Sequence, residues 1–179
     1  MKIILIGIQG SGKSTQGNLL SEKLQIPYLS SGHIFRELAK EKSPLGRYVK
    51  ETINSGYLIS DEKTLEIVSV YLHRSEYEKG YILDGFPRTV PQAEQFENGI
   101  DAVFYLAVTD KEALWRLAGR EAEEAREDDT LKAIIKRINL FHEKTEPVIG
   151  FYRSKGVLHE VNGEQSIEEI HNEIISKLS

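Results

Sequence analysis

GIQGSGKST, residues 7–15, follows the apolar run KIILI at residues 2–6 and opens a helical pattern near Lys13. Glycines at 7, 10 and 12 let a backbone turn sharply and aim its N–H groups inward, Lys13 can reach outer phosphates, and the following helix N-terminus adds a favourable dipole. Ser14 or Thr15 can place a hydroxyl near a phosphate or the shell of a magnesium ion. A glycine-rich turn with a solvated lysine has the same composition, but a strand before it and a helix after it favour the phosphate cradle. Nucleoside triphosphate binding is therefore the base reading. It does not name the reaction, because switches, ATPases and small-molecule kinases share such a loop.

Outward from the loop, short apolar runs alternate with helical periodicity, the sequence form of an α/β domain with a parallel sheet. Residues 2–6, 27–29, 81–83, 102–107 and 157–161 are the expected strands. The near-continuous apolarity of KIILI and AVFYLAV suits strands covered on both faces. Leu131, Ile134, Ile135 and Ile138 form one helical stripe, and Ile167, Ile170, Ile174 and Leu178 another behind a Ser166/Glu169 capping box. Both stripes are expected in the core, with Pro147 breaking or kinking the helix that follows the first. Residues 30–59, with Pro44, Gly46 and Gly56 between short helical segments, read as an inserted lobe.

The chain has 179 residues, enough for one substantial core. Its formal charge of −5 argues against a general nucleic-acid or membrane-surface binder, so any phosphate site must be local. The absence of cysteine excludes a disulfide scaffold and a cysteine-rich zinc site and fits a reducing cytosol. The N-terminal run lacks a signal-peptide cleavage site, and no apolar run approaches the roughly 20 residues of a membrane-spanning helix.

A second signal is GYILDGFPRTVPQAEQF, residues 80–96, which begins as a strand and ends in a turn around Gly85 and Pro87. Ligands of open α/β sheets bind beyond strand C-termini, so Asp84 and Arg88 are expected beside the cradle. Asp84 can hold Mg²⁺ through water, since that ion keeps most of its hydration and takes one or two carboxylates. The alternative is an aspartate that caps the turn.

With GIQGSGKSTQ and DGFPRTVPQA, the motifs LSSGHIFREL, GYLISDEKTLEIV, RLAGR, REDDTLKAIIKRI, EPVIGFY and VNGEQS occur in order along nearly the whole chain, which resembles the adenylate kinases. The resemblance implies a P-loop fold, with a five-stranded parallel sheet flanked by helices, whose core comprises residues 1–29, 60–118 and 129–179. It also implies an AMP-binding lobe at 30–59 and a short lid at 119–128 without the zinc insertion of long-lid relatives. The reaction would be reversible, Mg²⁺-dependent transfer from ATP to AMP giving two ADP, in a cytoplasmic monomer. The donor site would use Gly10, Ser11, Gly12, Lys13, Ser14 and Thr15, with Arg120 on the phosphates, Arg116 against the adenine and the backbone near Gln165 at its edge. The acceptor site would use Ser31, Arg36, the backbone of Tyr57, Leu58 and Ile59, then Gly85, Phe86, Pro87, Arg88 and Gln92. Arg126 and Arg137 would complete a catalytic cation set with Lys13, Arg88 and Arg120.

The amide of Gln92 offers a donor and an acceptor to an adenine edge. Thr89 stands where UMP/CMP kinases typically carry asparagine, which favours AMP over those acceptors. A P-loop regulatory ATPase that uses water as acceptor is the reading from another class. A phosphate acceptor is already an anion, so no general base is needed, and positioning and cationic charge carry the chemistry.

Arg116 and Arg120 are four apart on one helical face, where like charges repel unless an anion lies near, which hints at a ligand. On a continuous helix Arg126 would turn about 120° from that face and lie about 16 Å along the axis from Arg137. Convergence therefore requires a bend between residues 119 and 129, with Asp128 or Asp129 expected to cap the next helix. Glutamates of the stretch, Glu123 and Glu124 among them, would hold the arginines until phosphate replaces them. Three positions depart from the family pattern: Gln9 replaces proline, Ser14 replaces glycine and His33 replaces aspartate. His33 is expected either to pair with Asp84 or simply to pack. His73, His142, His159 and His171 show no metal-ligand spacing.

Overall fold

A computed structural model describes residues 1–96, 99–119 and 130–178. Its centre is a five-stranded, wholly parallel sheet: β1 (Lys2–Ile6), β2 (Tyr28–Ser30), β3 (Tyr81–Asp84), β4 (Ala102–Ala107) and β5 (Leu158–Asn162), in the order β2-β3-β1-β4-β5. The expected strands are present, and the second, third and fifth each extend one residue further toward the C-terminus. Ser30, Asp84 and Asn162, the polar residues at those ends, belong to the sheet.

Alternation along β1 divides the interior. Ile3 and Leu5 pack with Ile82, Phe104 and Leu106 beneath Leu20 of α1 (Lys13–Leu24) and Ile170 and Ile174 of α9 (Ile167–Lys177). Ile4 and Ile6 face the other layer with Leu83, Val103, Ile138 and Val148. That second layer includes α4 (Asp61–Leu72), α5 (Val90–Gln95), α6 (Asp110–Ala118), α7 (Leu131–Leu140) and α8 (Glu146–Ser154). Between β2 and α4 the chain forms α2 (Ser31–Leu38) and α3 (Pro44–Asn54), which pack on each other. Ser43 caps α3 by accepting from Gly46 N, and Pro44 sits in its first turn, where a missing N–H costs nothing.

Several local expectations are corrected. Ile134 and Ile138 are buried, but Leu131 is 69% and Ile135 47% exposed, so the stripe of α7 is wider in sequence than the face it buries. Ile167 of α9 is likewise exposed. Pro147 stands in a helical run that continues from Leu131 to Ser154, in the first turn of α8, and the turn just before it, Phe141–Thr145, is π-helical. Thr130, not Asp128 or Asp129, caps α7, accepting from Ala133 N. The Ser166/Glu169 capping box forms as read.

Candidate active site

The loop after β1 turns through Gly10 and Gly12, whose φ angles of 88° and 90° suit glycine alone. Gly12 is the N-cap of α1 and no side chain caps that helix, the arrangement that suits an anion at its N-terminus. Lys13 folds over the loop, donating from Nζ to the carbonyls of Gly7 (2.8 Å) and Ile8 (2.9 Å) and, at 3.4 Å, to Ser11 Oγ.

Register brings the next strand end alongside. Asp84 pairs with Leu5 on one side and Ser30 on the other, so its carboxylate stands beside the start of the loop. Tyr28 OH donates to Asp84 Oδ2 at 2.7 Å. Asp84 Oδ1 is buried and has no hydrogen-bond partner among the described residues. The turn after β3 is organised on the Gly85 carbonyl, which accepts from Ser31 Oγ (2.7 Å) and Arg88 Nε (2.6 Å), with a cis peptide at Phe86-Pro87. Thr145 Oγ1, from the π-helical segment, donates to the carbonyl of Arg88 at 2.8 Å. A π-turn at such a place is a frequent companion of functional sites.

Arg137 approaches from α7, donating from Nη1 to Gln9 Oε1 (3.3 Å) and from Nη2 to the carbonyl of Ile53 near the end of α3 (2.8 Å). Arg36 reaches back along its own helix to Gly32. These groups surround one cleft of about 360 Å³ at the C-terminal ends of β1 and β3. Among the described residues its lining holds four cationic side chains, Lys13, Arg36, Arg88 and Arg137, against one carboxylate, Asp84. In a chain of net charge −5 that is a concentrated positive field.

Of the residues expected at the site, Gly10, Gly12, Lys13, Ser14, Arg36, Tyr57, Leu58, Ile59, Asp84, Gly85, Pro87, Arg88, Gln92 and Arg137 line this cleft together. Ser11 and Ser31 are fully buried beside it, and Phe86 is a core residue packed edge-on against Phe96. Thr15 is exposed on α1. Gln165 lies between β5 and α9, where its amide donates to Asn162 O and Glu173 Oε2. Arg116 does not line the cleft. Its Nε donates to Glu112 Oε1 at 2.7 Å, within its own helix. Arg120, Arg126, Glu123, Glu124 and the expected bend lie outside the described residues.

His33 is exposed at the cleft, and its backbone N–H donates to Ser30 Oγ. Asp84 takes its hydrogen bond from Tyr28 instead of His33. Tyr28, Thr145 and Asp61 are the participants that the sequence reading missed. Asp61 Oδ1 accepts from Thr89 Oγ1 (2.9 Å) and Gln92 Nε2 (2.8 Å), and Gln92 Oε1 accepts from Arg88 N (2.8 Å). The one signal for Asp61 was its place in GYLISDEKTLEIV, where an acid also reads as an ordinary first-turn helix residue.

The family model for adenylate kinase matches residues 5–157, spanning the loop, the cleft and all but the last strand and helix. The chain belongs to the adenylate kinase family. An adenylate kinase of Azobacteroides pseudotrichonymphae is 39% identical over 185 aligned positions, covering 99% of this chain and 97% of that protein. One of Clostridium botulinum is 36% identical, with 97% and 96% covered, and one of Acetivibrio thermocellus is 32% identical, with 100% and 98% covered. The last two alignments run over 208 and 213 positions, so those adenylate kinases carry residues with no counterpart in this shorter chain. Family membership carries the activity of an ATP:AMP phosphotransferase, reversible transfer of a phosphoryl group between ATP and AMP.

Proposed function

We infer that the cleft carries out this transfer by collecting the phosphates of both nucleotides on one set of cations. The observation that carries the reading is the lining of four cationic groups and one carboxylate. Two polyanions repel each other in water, and fixed guanidinium and ammonium groups offset that repulsion while holding donor and acceptor in line. Lys13 and the loop N–H groups take the ATP phosphates. Arg36 and Arg88 take the phosphate of AMP, and Arg137, between the loop and α3, serves the transferring group. Residues 30–59 act as the AMP lobe on the rest of the chain. Residues 119–128 act as a short lid that brings Arg120 and Arg126 and excludes water. The acceptor oxygen is ionised already, and the site needs no general base.

Magnesium fits the residues present. Among the described residues no group of three or more His, Asp or Glu side chains could hold a metal by itself. One buried carboxylate with an oxygen left over, Asp84, suits an ion that keeps several waters and takes the rest of its ligands from phosphates. Bound there, it would neutralise charge on the triphosphate. Tyr28, by engaging Oδ2, leaves Oδ1 of Asp84 to meet the ion's water. No helix among the described residues is long and apolar enough to cross a membrane, and the chain lacks cysteine. We propose a cytoplasmic enzyme that acts as a monomer.

The test is ADP formation from ATP, AMP and Mg²⁺. Arg88→Ala should lower kcat/KM for AMP by about 10²- to 10³-fold, the effect of removing one preorganised charge-stabilising donor. Comparable ATP consumption without AMP would instead favour the water-accepting ATPase. A panel of AMP, UMP and CMP compared by kcat/KM fixes the acceptor.

A further inference from the structure

Gln92 is 1% exposed, and its amide is held at both ends. Nε2 donates to Asp61 Oδ1 at 2.8 Å, across 31 residues of chain, and Oε1 accepts from the backbone N–H of Arg88 at 2.8 Å. An ionised carboxylate can only accept and a backbone N–H can only donate. Turning the amide over would set its NH₂ against the Arg88 N–H and its oxygen against the Asp61 carboxylate, two repulsions in place of two bonds. Thr89 Oγ1 donates to the same Asp61 oxygen, which fixes the carboxylate in turn.

We propose that Asp61 is a specificity-determining positioning residue, which holds the Gln92 amide in the one orientation that accepts a 6-amino purine monophosphate and refuses its 6-oxo counterpart. The proposal rests on the reading of Gln92 as the contact to the acceptor's base. A primary amide has a second N–H and a second lone pair beyond the two engaged here. Gln92 lines the cleft, where those remaining valences present an acceptor and a donor in fixed order. Adenine matches them, its exocyclic amino group donating to Oε1 and its N1 accepting from Nε2. Hypoxanthine reverses both, setting its O6 against Oε1 and its N1–H against Nε2. A glutamine able to turn over would serve either base; one locked by Asp61 serves the amino base alone. The lock sorts amino from oxo bases and leaves ring size to other contacts.

Asp61 also has a structural role, as an acidic residue in the first turn of α4 joined to α5. The measurement is therefore a ratio, kcat/KM with AMP over kcat/KM with IMP and ATP as donor, in which the concentration of folded enzyme cancels. Asp61→Asn keeps the shape but can donate as well as accept. Its ratio should fall roughly tenfold, the change carried by a lower KM for IMP, as expected when one mismatched buried hydrogen bond is relieved. Asp61→Glu keeps an acceptor-only group and should retain most of the wild-type ratio. An unchanged ratio in Asp61→Asn, or an equal fall in both variants, overturns the lock. Gln92→Ala separates the two levels. If it leaves KM for AMP unchanged, the base does not lie against Gln92, and the acceptor-site reading fails together with the lock.

Discussion

His142 is an exposed imidazole held between two carboxylates, with Nδ1 2.9 Å from Glu146 Oε2 and Nε2 2.9 Å from Asp110 Oδ1. The hydrogen bond to Glu146, then that to Asp110, raises its pKa above the ordinary 6.5. A group whose pKa is higher in the folded than in the unfolded chain contributes its stability fully below the unfolded value and loses it as pH rises through the folded one. His142→Gln should accordingly lower Tm more at about pH 6 than at about pH 9, and thermal melts of both proteins across that range check it. The residues of the cleft differ in how far sequence could reveal them. Lys13 was legible because its partners, Gly7 and Ile8, lie within six residues. Tyr28, Asp61 and Thr145 were not, since their partners are 56, 28 to 31 and 57 residues away and meet them only through strand pairing and helix packing.

At the level of elements, α7 shows where periodicity stops being informative. Four apolar residues share a stripe, yet the sheet layer covers only the side of Ile134 and Ile138. An apolar residue at helical spacing says that a face can be buried, and the neighbouring element decides how much of it is. Ile138→Ala should cost about 2 to 4 kcal/mol through lost burial and a residual cavity. Leu131→Ala should stay within about 0.5 kcal/mol. Urea unfolding of the two variants measures the difference, and equal losses would mean that α7 packs on another face. Strands were easier to place, since the continuous apolar runs of β1 and β4 can sit only where both faces are covered. Their order in the sheet was not legible, because pairing partners depend on crossovers and not on local composition. Caps were ambiguous for a simpler reason: Asp128, Asp129 and Thr130 are adjacent, all three types cap helices, and geometry selected the last.

At the scale of the whole molecule, a chain of net charge −5 keeps a basic cleft, made by bringing the ends of β1 and β3 side by side and laying α2, α3 and α7 around them. Composition made the locality of the charge legible but not its address. Arg137 is the point where three of these parts meet, since one guanidinium touches Gln9 of the loop and the last turn of α3 at Ile53. On the proposed reading both nucleotides draw on this one guanidinium, so their binding is coupled. Whatever factor ATP imposes on the affinity of AMP, AMP must impose on that of ATP, by thermodynamic reciprocity. Gln9→Pro removes the loop's hold on that guanidinium. Calorimetric titration of AMP with and without a non-hydrolysable ATP analogue should then give a factor closer to one than in the wild type. Gln9 would thus set how strongly each nucleotide senses the arrival of the other.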